Sequence, residues 1–115
     1  MTTTETTGAV MFQSIGVGTE IWGATQANFL VSLPPNHAKE VAILLNDPAA
    51  KQLASEVGAE DGDEFRALAA QAAGEAYLQD RLAKGHPIEA VSYISHALLA
   101  TRPDLIAAVQ AALGK

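Results

Sequence analysis

The chain has 115 residues, a hydrophobic content of 49% and a formal net charge of −6, totals that fit one globular domain with its own core. It contains no cysteine, which excludes disulfides, cysteine-ligated metal sites and thiol catalysis. The negative charge without a Lys/Arg cluster argues against nucleic acid as a partner, and no apolar run is long enough for membrane insertion, so we expect a cytoplasmic protein.

The N-terminal segment is the least informative part of the chain. Residues 2–7 are polar and rich in threonine, so we predict a flexible tail over 1–18 and one helical domain over 19–115. A short strand over Val10–Phe12 is an alternative, although no partner strand is evident. Gly16-Val17-Gly18-Thr19 before a helix is a weak anion-binding pattern, and a flexible joint is the simpler interpretation.

Two helices are predicted before Asp47. Thr19 is a candidate N-cap for the first, and Pro34 with Pro35 ends it. A second helix is predicted from Asn36 through Leu45. The run 29–33 could instead be a short strand. The apolar face assigned to the first helix is Ile21, Trp22, Thr25, Phe29 and Leu33.

The rest of the chain carries clear helix boundary signals. Asp47 followed by Pro48 begins a helix that stops at Gly58, and Asp63 begins the longest helix, which ends near Lys84 before Gly85. Two more helices are predicted over 87–100 and 103–113, each opened by a proline. The chain is therefore predicted to be an all-α bundle of five or six helices, as its Ala- and Leu-rich composition favours.

Residues 73–113 have the pattern of a helical hairpin. Small residues stand where two antiparallel helices would approach, a glycine stands in the turn, and a proline follows. This segment resembles a tetratricopeptide hairpin, which implies a groove that binds a peptide or helix. The residues that carry this resemblance are Tyr77, Leu82, Gly85, Glu89, Ala90, Ala97, Leu98 and Pro103.

The same segment is similar to small bacterial helical proteins with a G-x-x-x-x-A-V-x-F-L-x-H-A-L-P pattern. Tyr93 and Ile94 stand in for Phe-Leu, and Leu99 replaces the final proline. The matching residues are Gly85, Ala90, Val91, His96, Ala97 and Leu98.

The function predicted from these features is non-enzymatic binding of a protein or peptide in an apolar helical groove with an acidic rim. A basic amphipathic helix would complement such a surface. The alternatives are an oligomeric structural or accessory subunit, and a small-molecule binder or enzyme. The candidate partner-binding residues are Glu60, Asp61, Glu64, Tyr77, Tyr93 and His96.

No catalytic, cofactor or metal site is predicted. Glu89, Tyr93 and His96 share one side of the predicted helix over 87–100, but no nucleophile or oxyanion motif accompanies them. The histidines His37, His86 and His96 fall on three different predicted elements, so nothing local brings them together as ligands. The acids around Asp61 lack the alternating ligand order of a calcium loop.

Overall fold

The fold is α/β. A computed structural model describes residues 9–16, 24–33 and 37–114, which form a four-stranded mixed sheet and four helices. In chain order the elements are β1 (Ala9–Gly16), β2 (Ala24–Leu33), β3 (His37–Asn46), α1 (Asp47–Val57), α2 (Asp63–Ala83), β4 (Val91–Ile94), α3 (His96–Thr101) and α4 (Pro103–Ala112).

The sheet is ordered β1-β2-β3-β4. β1, β2 and β3 form an antiparallel meander, and β4 returns after α1 and α2 to pair in parallel with β3. The Ala42 N–H donates to the Ala90 carbonyl at 2.8 Å, and Lys39 Nζ donates to the Ile88 carbonyl. These two bonds hold the start of β4 against β3.

One face of the sheet is buried under the helices. α2 contacts β1, β2 and β3, and α1 contacts β3. The strands alternate between this core face and an outer face, as the two-residue repeat of a pleated strand requires. The core combines side chains from this face with residues of the helices, the largest fully buried ones being Phe29, Ile43, Leu45, Leu53, Leu78, Ile94, Leu99 and Leu105.

The predicted all-α bundle of five or six helices is therefore wrong. The second predicted helix, 36–45, is strand β3, and the described part of the first is strand β2; its start at Thr19 lies outside the described residues. The alternative of a strand over 29–33 is confirmed. The continuous apolar run Val41–Leu45 belongs to a strand that is paired on both sides, and such runs also occur in buried helices.

The tetratricopeptide-like hairpin over 73–113 is also wrong, and with it the resemblance to the bacterial helical proteins. Residues 87–90 form a loop and Val91–Ile94 form β4, so only the end of the predicted helix over 87–100 is helical, as α3. In β4, Ser92 and Ile94 are buried while Val91 and Tyr93 are exposed, a two-residue repeat rather than a helical one.

The remaining helices are confirmed. α1 ends at Val57 before Gly58, whose φ of 70° is the left-handed conformation that favours glycine. α2 ends at Ala83, two residues before Gly85, and α4 begins at Pro103.

The predicted tail over 1–18 is described only over 9–16. That part is strand β1, which includes the alternative strand Val10–Phe12 and pairs with β2. Among the described residues no helix is long and apolar enough to cross a membrane.

Candidate partner-binding groove

A groove lies between the N-terminal end of α2 and the C-terminal end of α4. Its larger cavity has a volume of about 610 Å³. The floor is apolar, formed by Ala59, Phe65, Leu68 and Leu113, and the rim carries Glu60, Asp61, Asp63 and Glu64.

The groove continues along α2. A second cavity of about 280 Å³ shares Leu68 with the first and is also lined by Ala72, Glu75 and Ala112. From Phe65 to Glu75 the helix advances about 15 Å at 1.5 Å per residue. The combined length matches that of a bound helix of about three turns, and none of the lining residues is basic.

The turn between α1 and α2 positions the acidic rim. After the left-handed Gly58, the Ala59 N–H donates to the Ala54 carbonyl at 2.9 Å, which closes the end of α1. Asp63 and Glu64 then occupy the first turn of α2, where the helix dipole favours negative charge.

One arginine ties this turn to both helices. Arg66 donates to both carboxylate oxygens of Asp61, at 2.8 and 2.9 Å, and to Asp47 at 2.7 Å. The Arg66 hydrogen bond holds the pKa of Asp61 below its usual value, and the same bond raises the pKa of Arg66. The charge of Asp61 is thus largely compensated by Arg66, and the role of Asp61 is to hold the rim in position.

The other rim acids form no close ion pair with the described residues, although Asp63 lies near enough to Arg66 to interact with it electrostatically. Within residues 37–114, no ion pair of 4.0 Å or shorter involves Glu60, Asp63 or Glu64. All three are exposed. Two of the predicted partner-binding residues, Glu60 and Glu64, therefore lie together at the groove, and Asp61 supports them.

Tyr77 does not line the groove. It is half-buried, and the guanidinium carbons of Arg81 and Arg102 lie 5.7 and 5.9 Å from its ring centre. Arg102 also pairs with Asp80 at 3.4 Å and Asp104 at 2.7 Å. Tyr77 belongs to the contact that joins α2 to the start of α4.

Tyr93 and His96 do not line the groove, and they belong to two different elements. Tyr93 lies on β4 with its side chain on the outer face of the sheet, and His96 is the exposed first residue of α3. Glu89 precedes β4 in a loop, so the expected helical face of Glu89, Tyr93 and His96 does not exist.

The three histidines occupy three places. His37 begins β3, His86 follows α2, and His96 begins α3. Over the described ranges, no group of three or more His, Asp or Glu residues is arranged to hold a metal ion. Of the Gly16-Val17-Gly18-Thr19 segment, only Gly16 falls within the described residues, at the end of β1.

The apolar floor is what the sequence reasoning missed. Phe65 and Leu68 of α2 and Leu113 after α4 fit apolar helix stripes, but of the three only Phe65, at 7% exposure, is buried, and the other two are half-buried. Their helical spacing marks them as inward-facing without showing that the end of α4 leaves a gap beside α2.

Comparison of the chain with protein-family models, with curated proteins and with solved structures gave no match.

Proposed function

We propose that this domain is a non-enzymatic binding module whose groove between α2 and α4 takes a basic amphipathic helix. The observation that carries the proposal is that two neighbouring cavities along α2, which share Leu68, combine apolar and acidic lining residues. Helix-in-groove recognition uses this division, in which an apolar stripe fills the groove and charged residues meet its rim.

The negative charge of the rim favours a positively charged ligand. Glu60, Asp63 and Glu64 lie at one end of the groove, and Glu75 lies at the other. A lysine-rich face gains from every one of these carboxylates, whereas an acidic peptide is repelled by them and by the net charge of −6. Most of the affinity comes from the apolar face, and the charges mainly set the association rate.

A designed probe tests this proposal without a known natural partner. The probe is a fluorescent peptide of about fourteen residues, close to four helical turns, with leucines on one face and lysines on the other. We expect saturable binding by fluorescence anisotropy. A peptide of the same composition with dispersed leucines is the control, and equal binding of the two peptides would overturn the proposal.

The rim is tested with a pair of matched variants. Glu60→Gln with Glu64→Gln should weaken binding, while Glu56→Gln with Glu89→Gln should leave it unchanged, because neither of those exposed residues lines the groove. Equal affinities of the two double variants would show that the rim does not recognise the peptide.

A further inference from the structure

The outer face of the sheet carries the large apolar side chains that are most exposed among the described residues. Met11 is 63% exposed, Tyr93 60% and Val91 47%. The strand registers place all three on this face, which is opposite the one that α1 and α2 cover. Exposed apolar side chains that share one face of a sheet make that face a candidate interaction surface.

These side chains form two apolar corners. Met11 on β1 is paired with Leu30 on β2, whereas Val91 and Tyr93 lie on β4, at the opposite edge of the sheet and further along the strands. The β4 corner continues onto Ala42 and Leu44 of β3, and polar residues of β1 and β2 lie between it and Met11. Gln26 donates to Asn28 Oδ1 at 2.7 Å, and Asn28 donates to Ser14 Oγ at 3.3 Å.

Charge is nearly absent from this face. Glu40 is the only charged side chain at the outer-face positions of the described strands, in a chain whose net charge is −6. Two copies repel each other over most of their surface, and this face allows them to approach with the least repulsion. A strongly charged partner finds little here to pair with.

The polar residues between the corners favour a copy of the same chain. Amide and hydroxyl groups both donate and accept hydrogen bonds, so Gln26, Asn28 and Ser14 complement an identical set. A two-fold axis in the plane of the face, perpendicular to the line from Met11 to Tyr93, places the apolar corner of β1 against that of β4, and each residue pair then occurs twice.

The size of the face fits a weak dimer. The four strands have 8, 10, 10 and 4 residues, and each residue covers about 3.3 Å along its strand and about 4.8 Å across it. The product is about 500 Å² per copy and about 1,000 Å² in total, which is the lower limit for a specific interface.

We infer that two copies of this chain pair through their outer sheet faces, with Met11 and Leu30 of one copy packed against Val91 and Tyr93 of the other. At each end of the interface, the Met11 sulfur of one copy then contacts the Tyr93 ring of the other. We expect the dissociation constant of this dimer to lie in the micromolar range.

Disulfide trapping tests this geometry directly because the chain has no cysteine. Met11→Cys with Tyr93→Cys should crosslink into a dimer under mild oxidation. Within one chain these positions are three strand spacings apart and also offset along the strands, so they are separated by more than about 14 Å, which is too far for a disulfide. Each single variant is the control and should crosslink far less. Equal crosslinking of the single and double variants would overturn the diagonal arrangement.

The mass of the unmodified chain in solution tests the dimer itself. Sedimentation equilibrium should show a mass that rises from 12.0 kDa towards twice that value with concentration. Tyr93→Glu should hold the chain at the monomer mass, and Gln79→Glu, which adds the same charge on exposed α2, should not. A monomer mass up to about 1 mM without trapped dimer would overturn the inference.

Discussion

Gly74 of α2 lies directly against the ring of Phe29 on β2. A Cβ built on Gly74 would come within 2.8 Å of Phe29 Cε1, 3.0 Å of Cζ and 3.3 Å of Ile43 Cβ. α2 can therefore approach the sheet this closely only without a side chain at this position. That approach also fixes where the opposite side of α2 meets α4 and forms the groove.

The first prediction follows from this contact. Gly74→Ala should destabilise the fold by up to about 2 kcal/mol, since overpacking of about 1–3 kcal/mol exceeds the helix-propensity gain of about 1 kcal/mol. Gly74→Val should cost more. Urea unfolding measures both, with Gly62→Ala as the control because a Cβ there meets nothing within 4 Å. A Gly74→Ala variant more stable than the parent would show that α2 does not contact Phe29.

The second prediction distinguishes two neighbouring leucines of α3. The helical spacing of Val91, Ile94 and Leu98 in the sequence favours Leu98 as the core residue, but in the fold Leu99 is 1% exposed and Leu98 is half-buried. Leu99→Ala should cost about 2–5 kcal/mol, the usual loss for a buried leucine. Leu98→Ala should cost clearly less. Thermal or urea unfolding ranks the two variants, and the reverse order would contradict the placement of α3.

The third prediction concerns how the stability of the fold depends on pH in the acidic range. Arg66 lowers the pKa of Asp61, and Arg102 lowers the pKa of Asp104, in each case chiefly through a hydrogen bond. A carboxyl group whose pKa is lower in the folded than in the unfolded chain stabilises the fold above the unfolded value of 3.8. That stabilisation is lost as the pH falls through the folded-state pKa, below 3.8.

Unfolding free energies measured from about pH 5 to pH 2 check this dependence. The parent chain should lose stability over this window, and Asp61→Asn with Asp104→Asn should flatten the curve. Glu89→Gln is the control, because no ion pair of the described residues involves that carboxylate. Parallel curves for the parent and the double variant would show that these two carboxyl groups do not contribute.

The fourth prediction distinguishes the acidic rim of the groove, which we expect to set the association rate, from its apolar floor, which we expect to set the dissociation rate. For the leucine–lysine peptide, added salt should slow association more than it speeds dissociation, because the exposed rim charges act mainly on encounter. Glu60→Gln with Glu64→Gln should reduce that salt dependence and leave the unfolding free energy nearly unchanged. Leu68→Asp should instead speed dissociation, because it places a charge on the apolar floor. Stopped-flow kinetics measures both rates.

How much of this molecule is predictable from its sequence depends on how local each signal is. The ends of α1 and α2 follow from Pro48, Gly58 and Gly85, whose effects act within one helical turn. The acidic rim is also local, because its residues are adjacent in the chain. These features could be predicted without knowing the fold.

The strands depend on partners far away in the chain. Val91–Ile94 is a strand because it pairs with Ala42–Leu45, and the helical spacing of Ile88, Val91 and Ile94 conceals that. β3 contains the continuous apolar run Val41–Leu45, which hydrophobic periodicity alone cannot distinguish from a buried helix. The groove floor also depends on residues far apart in the chain, since Leu68 and Leu113 line the same cavity only when the whole fold has formed.

The most direct measurement of the central claim is an NMR titration of the isotopically labelled chain with the leucine–lysine peptide. The account predicts that amide and methyl shifts concentrate on Phe65, Leu68, Ala112 and Leu113, and that the peptide with dispersed leucines leaves those signals in place. Shifts that instead concentrate on β4 and the outer sheet face, with the groove unchanged, would contradict it.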